Sequence, residues 1–558
     1  MTDLLQQDPV SGYQNIYKEA FAREAEALFE DAVRKGGIDP EHNAVQARTL
    51  DRLIQEKESH DGRKTLWILL ITALVIGLAV WGIILWNDEK RSALNTGLFS
   101  AYAAAVVILS FALIIPAIKK LSARISELEK EIREKYAAAT EYLFPLYSSF
   151  SWNTFPALIS RIIPQLQFDD FLTTERLADF KENFGLLIQD EPESTMTGSH
   201  SGTFFGYPFV LTEDRNFHWG EQVWSNSITV SYTVYVTGPD GKRTSQTRTE
   251  ILTASVTKPC PEFQSEKNLF FAHDAAPELS YSRSPSSLSG EKGFFTALGK
   301  KYRMHKLRKL EQNLTDESQY TMMSNREFEV LYKSENRDHE IGFRLLFTPL
   351  AQQYMVKLLN DTGAGYGDDF CLRKTNRITC IASEHLNSTP VAQEPFYTDM
   401  YDLQKIKASF MANSEDFFRR IYFAFAPLFL IPLYNEPRID PPAAGPETVS
   451  ENELEGAAFY YSEHYKPPQS ITENIFNIGK FRRSGAVVSA VVESIGFRGE
   501  THVEYIPRTA GNGRVYTVPV EWVEYIPVTQ CTPIHACKEA DLPPGTEVLF
   551  RRRGVAFW

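Results

Sequence analysis

"TLWILLITALVIGLAVWGIILW", residues 65–86, is the stretch whose reading decides the fold. It carries no charge over 22 residues. At about 1.5 Å of rise per residue, a helix of that length crosses the roughly 30 Å hydrocarbon core of a bilayer. Thirteen of its residues are Leu, Ile or Val. Each favours insertion by about 0.3–0.6 kcal/mol, so the run sums to about −4 to −8 kcal/mol. A second uncharged run, residues 98–118, follows, with Pro116 near its end, where a missing N–H matters least. The pair reads as a transmembrane hairpin. The polar residues 1–64 ahead of it argue against a cleaved signal peptide.

Lysine and arginine counts orient the hairpin. Arg48, Arg52, Lys57, Arg63 and Lys64 precede the first run, and Lys119, Lys120, Arg124, Lys130, Arg133 and Lys135 follow the second. The intervening "NDEKRSALNTG", residues 87–97, has only Lys90 and Arg91, balanced by Asp88 and Glu89. This asymmetry places both chain ends in the cytoplasm and the loop outside. Neither run contains an ionisable side chain, which excludes a proton relay or ion path built from the hairpin alone. Small residues four apart, Ala73 with Gly77, Ser100 with Ala104 and Ala101 with Ala105, suit close helix approach.

The remaining chain has globular composition, with 43% hydrophobic and 23% charged residues, so wholesale disorder and a many-span transporter are both excluded. A net charge of −13 argues against nucleic acid as a partner, because phosphate neutralisation needs a basic face. Five cysteines scattered over a long chain are not a secreted disulfide framework and fit a reducing compartment.

Helix formers dominate residues 13–58, interrupted at "GGIDPEH". Leu121, Ile125, Leu128 and Ile132 step by 4, 3 and 4, predicting a membrane-proximal helix that pairs with the N-terminal helices. From Ser201 the pattern turns to alternating Thr, Val and Tyr, with a hairpin turn at Pro239–Gly241. Strand pairs are expected in "REFEVLYKSENRDHEIGFRLLFTP", residues 326–349, and in "FCLRKTNRITCIAS". In the latter a turn at Thr375 and Asn376 sets Cys371 opposite Cys380. "LAQQYMVKLLND" between them reads as a helix, and the apolar "IYFAFAPLFLIPLY", residues 421–434, as a core segment too short to span a bilayer. "PRIDPPAAGPE" reads as an extended linker. "VEYIP" recurs at 503–507 and 523–527 around the turn signal "AGNG".

Catalytic signatures are missing: no Gly-rich loop ends in Lys-Ser or Lys-Thr, no His-Glu-x-x-His occurs, and "GSHSG" puts His200 where a nucleophile elbow needs serine. "GAGYGDD", residues 363–369, follows a helix rather than a strand and reads as a loop. Cys531, His535 and Cys537 in "CTPIHAC" are a weak metal candidate, one ligand short of a structural zinc site, and read more simply as a strand end. Lys300, Lys301, Arg303, Lys306, Arg308 and Lys309 form a basic run suited either to anionic lipid, at about 1 kcal/mol per charge, or to a solvated helix face.

Residues 328–359, with Phe-Glu-Val ahead of Thr-Pro and a helix, resemble a family of bacterial two-span inner-membrane proteins known only as a domain of unknown function. Gly202, Gly206 and Phe209 echo the family's glycine-spaced strand. The likeness covers about residues 60–390 and implies a bacterial inner-membrane setting, with no site residue attached.

The expected protein is α+β. Its expected parts are cytoplasmic helices (1–64), transmembrane helices (65–86 and 98–118) joined by an external loop (87–97), and a helical stalk (119–195). A mixed α+β domain (196–436), a Pro-rich linker (437–450) and a small C-terminal β-meander or barrel (451–558) complete it. The expected function is a membrane-anchored, non-enzymatic interaction or scaffold protein that binds lipid bilayer and a protein partner or itself, with no cofactor. A tethered hydrolase whose site joins His200, His218 or His385 to carboxylates is one alternative, and an oligomeric pore component is the other.

Overall fold

The structure, a computed structural model, describes residues 8–87, 93–186, 192–237, 243–286, 288–290, 294–312, 322–388, 390–391, 400–442 and 447–558. Two compact units make up the chain. One is Arg23–Ser151 with Pro395–Ser414, and the other is Met1–Ala22 with Trp152–Glu394 and Glu415–Trp558.

In chain order the elements begin with α1 (Pro9–Gly12), a π-helical turn (Tyr13–Tyr17), α2 (Lys18–Lys35), α3 (Pro40–Asn87), α4 (Ala93–Leu109), a second π-helical turn (Ser110–Ile114) and α5 (Ile115–Ser148). The predicted break after α2 is real: Gly37 takes a positive φ of 64° and Pro40 opens α3. Two helices, within Pro40–Leu85 and Asn95–Ser148, are long and apolar enough to cross a membrane. Leu66, Ile83 and Phe111 on them are each more than 60% exposed. Residues 88–92 of the expected external loop lie outside the described residues, and 93–97 already belong to α4.

Beyond the apolar stretches α3 and α5 pair as the heptad spacing predicts. Arg124 meets Glu56 at 2.9 Å and Lys57 meets Glu129 at 3.0 Å, while Leu128 is buried. Within the apolar stretches Trp81 packs on Phe99 and Tyr102, and a Cβ on Gly77 would come within 3.3 Å of the Tyr102 hydroxyl. Asn43 fastens the 400–403 segment, accepting from Leu403 N at 2.8 Å.

The other unit continues with α6 (Thr154–Ile162), β1 (Leu166–Phe168), α7 (Thr174–Phe184), β2 (Ser194–Phe204), β3 (Tyr207–Thr237), β4 (Arg243–Ala272) and β5 (Tyr281–Arg283). Then come α8 (Phe294–Gln312), α9 (Arg326–Tyr332), β6 (Ser334–Glu335), α10 (Glu340–Leu346), α11 (Pro349–Asn360), β7 (Phe370–Thr375), β8 (Ile378–Ser383) and α12 (Leu403–Phe429), of which residues 415–429 belong to this unit. It closes with α13 (Glu451–Tyr460), α14 (Ser462–Tyr465), β9 (Ile475–Ser484), β10 (Val487–Thr509), β11 (Val515–Lys538), β12 (Phe550–Arg552) and β13 (Val555–Phe557). An antiparallel sheet runs β1-β2-β3-β4-β8-β7-β5-β6, and a second runs β12-β13-β11-β10-β9. Both are open, so the protein is α+β and the C-terminal strands do not form a barrel.

Several expectations need correction. Residues 326–349 are mostly helical, and their one short strand, β6, pairs with β5 and not within the segment. Phe328 with Tyr332, and Phe343 with Phe347, sit four apart with ring centroids 4.9 and 4.8 Å from each other, a spacing that a helix brings together. Asn325 and Thr348 cap α9 and α11. The β7–β8 turn falls at Asn376 and Arg377, with Asn376 at φ 53°, so Cys371 faces Ala382 and Cys380 faces Arg373. All five cysteines are free thiols. The stalk ends with α5, because β1 and α7 belong to the sheet-containing unit. The Pro-rich segment is pinned at both ends: Arg438 pairs with Asp179 at 2.8 Å and Val449 bridges Thr173.

Residues 421–434 are core. Phe425 meets Phe209 at 4.9 Å, and Tyr422 meets Phe429 at 5.2 Å. The two motif glycines have steric reasons. A Cβ on Gly202 would lie 2.0 Å from the Gln167 carbonyl of β1, and Gly206 turns the β2–β3 hairpin at φ 84°.

Candidate functional site

The most unusual feature is an arm made of two hairpins. β3 and β4 pair without a break from Phe209↔Phe271 to Thr237↔Arg243. At about 3.3 Å per residue this ladder is close to 90 Å long. The expected turn at 239–241 lies outside the described residues. β10 and β11 pair from Val488↔Ala536 to Thr509↔Val515, closed by the predicted "AGNG" turn with Gly513 at φ 80°. The "VEYIP" copies do not face each other: Tyr505 opposes Pro519 and Tyr525 opposes Gly499.

The hairpins stack face to face. Val230, Leu252, Ala254 and Val256 of the first bury against Val518 and Val520 of the second, with Trp224, Ile228, Tyr232, Ile506, Tyr516 and Trp522 at the margin. Polar ties fix the stack: Asn226 donates to the Pro519 carbonyl at 2.7 Å, Lys258 meets Glu504 at 2.7 Å, and Glu250 accepts from Gly511 N at 2.8 Å. The opposite face of β3–β4 is exposed and uncharged over Val223, Ser225, Ser227, Thr229, Ser231 and Thr233. Hydroxyls bond across it, Ser231 to Thr249 at 3.1 Å.

Each long strand leaves a stretch of outer edge that no described strand covers. β2 accompanies β3 only to Asn216, and β8 accompanies β4 only over Leu269–Ala272. Free edges attract foreign strands, and proteins guard them with proline, lysine and other charges. Three of the four edges are guarded in this way. β4 carries Arg243, Arg248, Lys258, Pro259 and Pro261, β10 carries Arg498, Pro507 and Arg508, and β11 carries Pro519, Pro527 and Pro533. Residues 218–237 of β3 contain no proline, lysine or arginine, no bulge, and one carboxylate, Glu221.

A cation-binding arrangement lies on the second hairpin. Glu500 and Glu524 are direct cross-strand partners, and the ligand atoms of Glu500, His502 and Glu524 lie within 4.8 Å of one another. These carboxylates already have partners within the protein: Arg498 meets Glu500 at 2.6 Å and His502 lies 2.8 Å from Glu524. A cavity of about 420 Å³ beside it is lined by Trp219, Lys258, Trp522, Glu524 and Tyr525.

The sequence-derived candidates fall elsewhere. Cys531, His535 and Cys537 lie along one face of β11, and six residues of strand separate the two thiols by about 20 Å, too far to share one ion. His535 bonds Ser489 at 2.8 Å instead. The basic run sits on α8, with Lys301, Lys306, Arg308 and Lys309 exposed and Lys300 3.6 Å from Glu327; Arg303 is half-buried.

The three histidines of the hydrolase alternative are not brought together. His200 is sealed among Phe168 and Phe417, its Nε2 bonded to the Val391 carbonyl, and burial with Arg553 nearby holds its pKa well below the usual histidine range. His218 pairs with Glu262 at 3.2 Å on the arm. His385 stacks on Tyr366, with Nδ1 2.5 Å from Asp369 and Nε2 3.1 Å from the Arg420 carbonyl, so neither nitrogen is free to serve a substrate. The adjoining cleft of about 420 Å³ is lined by Lys267, Asp369, Cys371 and Glu384 among others. Desolvation lowers the pKa of Lys267 there, while Lys267 donates to the Leu386 carbonyl at 2.9 Å.

Comparison of the chain with family models, curated proteins and solved structures finds no match to any of them. The unguarded edge was missed in the sequence because strand pairing was read from what is present. Its signal is an absence, sixteen residues after Glu221 without a charge or a proline.

Proposed function

We propose that this is a membrane-anchored, non-enzymatic interaction protein that receives an extended segment of another polypeptide along the edge of β3. Strand addition draws its affinity from main-chain hydrogen bonds and its selectivity from alternate side chains. The observation that carries the reading is the contrast among edges: three carry proline, two of them with cations as well, and residues 218–237 carry neither. The two apolar helices supply the anchor, positive charge flanking them favours both chain ends on the cytoplasmic side, and the bacterial inner membrane is what the family resemblance implies. The basic side chains of α8 add attraction to anionic lipid.

The test is photo-crosslinking in native membranes. With a photoreactive residue at Ser227 in the full chain, irradiation is expected to yield a discrete protein adduct, and the same probe at Thr253 on the β4 edge yields much less. Equal labelling at both positions, or no adduct at either, defeats the edge reading. Release of the chain by alkaline carbonate defeats the anchoring.

A further inference from the structure

We propose that the strand received along β3 is β3 of a second copy of this chain, the two edges pairing antiparallel about a twofold axis. This inference rests on the edge-binding reading above and names its partner. No stretch outside the described residues is long enough to cover the whole edge. Stretches outside the described residues run to nine residues at most, about 30 Å when extended, against an edge of twenty residues or about 66 Å.

Twofold symmetry makes an antiparallel strand pair self-complementary, residue i facing residue 2c − i about a centre c. A charged edge fails under this operation in the registers where like charges meet, because like charges directly opposed are destabilising. The β3 edge does not fail: its single carboxylate, Glu221, opposes itself only if the centre falls on Glu221 itself. For every centre from Val223 to Thr237 it faces an uncharged residue or none of the edge. The β4 edge, with Arg243, Arg248, Glu250, Lys258, Glu262, Glu266 and Lys267, opposes like charges in many more registers.

The side chains suit the same partner. Val223 is 64% exposed and Tyr235 74%, with Ser225, Ser227, Thr229, Ser231 and Thr233 between them on one face. Threonine–threonine and threonine–serine cross-strand pairs are favourable, and the hairpin already makes one between Ser231 and Thr249. A second copy would extend that hydroxyl face from two strands to four and leave no uncovered amide between Val223 and Thr237 within the paired stretch.

Two differently tagged full-length copies, co-expressed and purified together in mild detergent, are expected to co-purify, with the particle mass of a dimer. The double variant Ser227→Lys/Thr229→Lys places charges on exposed positions of the edge and is expected to weaken association at least tenfold. Its matched control, Thr253→Lys on β4, leaves association unchanged, and circular dichroism confirms that both variants fold. A wild-type monomer, or a dimer indifferent to the β3 lysines, overturns the proposal. The crosslink at Ser227 separates the two readings. An adduct with a different protein defeats self-pairing and leaves edge binding standing, whereas no adduct defeats both.

Discussion

Two residues carry particular weight. Gly202 sits where β1 crosses close to β2, and a methyl group there would be driven into the Gln167 carbonyl and the Phe209 ring. Gly202→Ala is therefore expected to destabilise the sheet-containing unit by about 3 kcal/mol or more, or to abolish soluble expression, as read by denaturant midpoint. Asp214 is held where burial, with Glu266 and Glu213 nearby, raises its carboxyl to about 6 against an ordinary 3.8, although Thr212 donates to it at 2.6 Å. Folding thus favours the protonated form. The associated stability is fully present below the ordinary value and is lost as pH rises through about 6. Asp214→Asn keeps an acceptor for Thr212 without the charge. Its melting temperature should match the wild type below pH about 4 and exceed it above pH about 6, and a constant offset across that range would contradict the assignment.

Elements were legible to different depths. The apolar helices could be read outright, since 22 uncharged residues permit few structures, and so could the break at Gly37 and Pro40. Residues 326–349 misled because β-branched and aromatic residues alternate there by chance, while the decisive spacing is the four-residue step between Phe328 and Tyr332 and between Phe343 and Phe347. Caps mark the same helices. Thr348 Oγ1 accepts from Ala351 N at 3.3 Å with Pro349 in the first helical position. Thr348→Ala should cost about 1 kcal/mol in thermal or chemical denaturation, and Thr348→Asp should cost much less.

At the scale of the whole sheet-containing unit, its last residues close the core. Val555 and Phe557 bury with Val449, Leu454, Val488 and Ile534. Arg552 and Arg553 reach the almost fully buried Glu453 at 3.5 and 3.3 Å, and Arg553 also donates to the Ser199 carbonyl at 2.7 Å. Removing the carboxylate leaves two buried guanidinium groups facing a neutral amide. Glu453→Gln is expected to destabilise by about 3–5 kcal/mol, whereas Glu463→Gln, at an exposed pair with Lys466, should change stability by less than about 1 kcal/mol. Equal effects would mean that the buried network contributes nothing special.

By itself the sequence determined the two apolar helices, the helical pairing beyond them, the strand-rich half and the "AGNG" hairpin, because each depends on residues adjacent in the chain or one turn apart. Only tertiary structure decided that the C-terminal strands stack on β3–β4 as an open two-layered arm, that Arg552 and Arg553 lock onto Glu453, and that one strand edge of four is left without a guard. Those features depend on which distant segments lie beside one another and which backbone edges they leave uncovered. Local periodicity reports the face a side chain takes and carries no information about its neighbour.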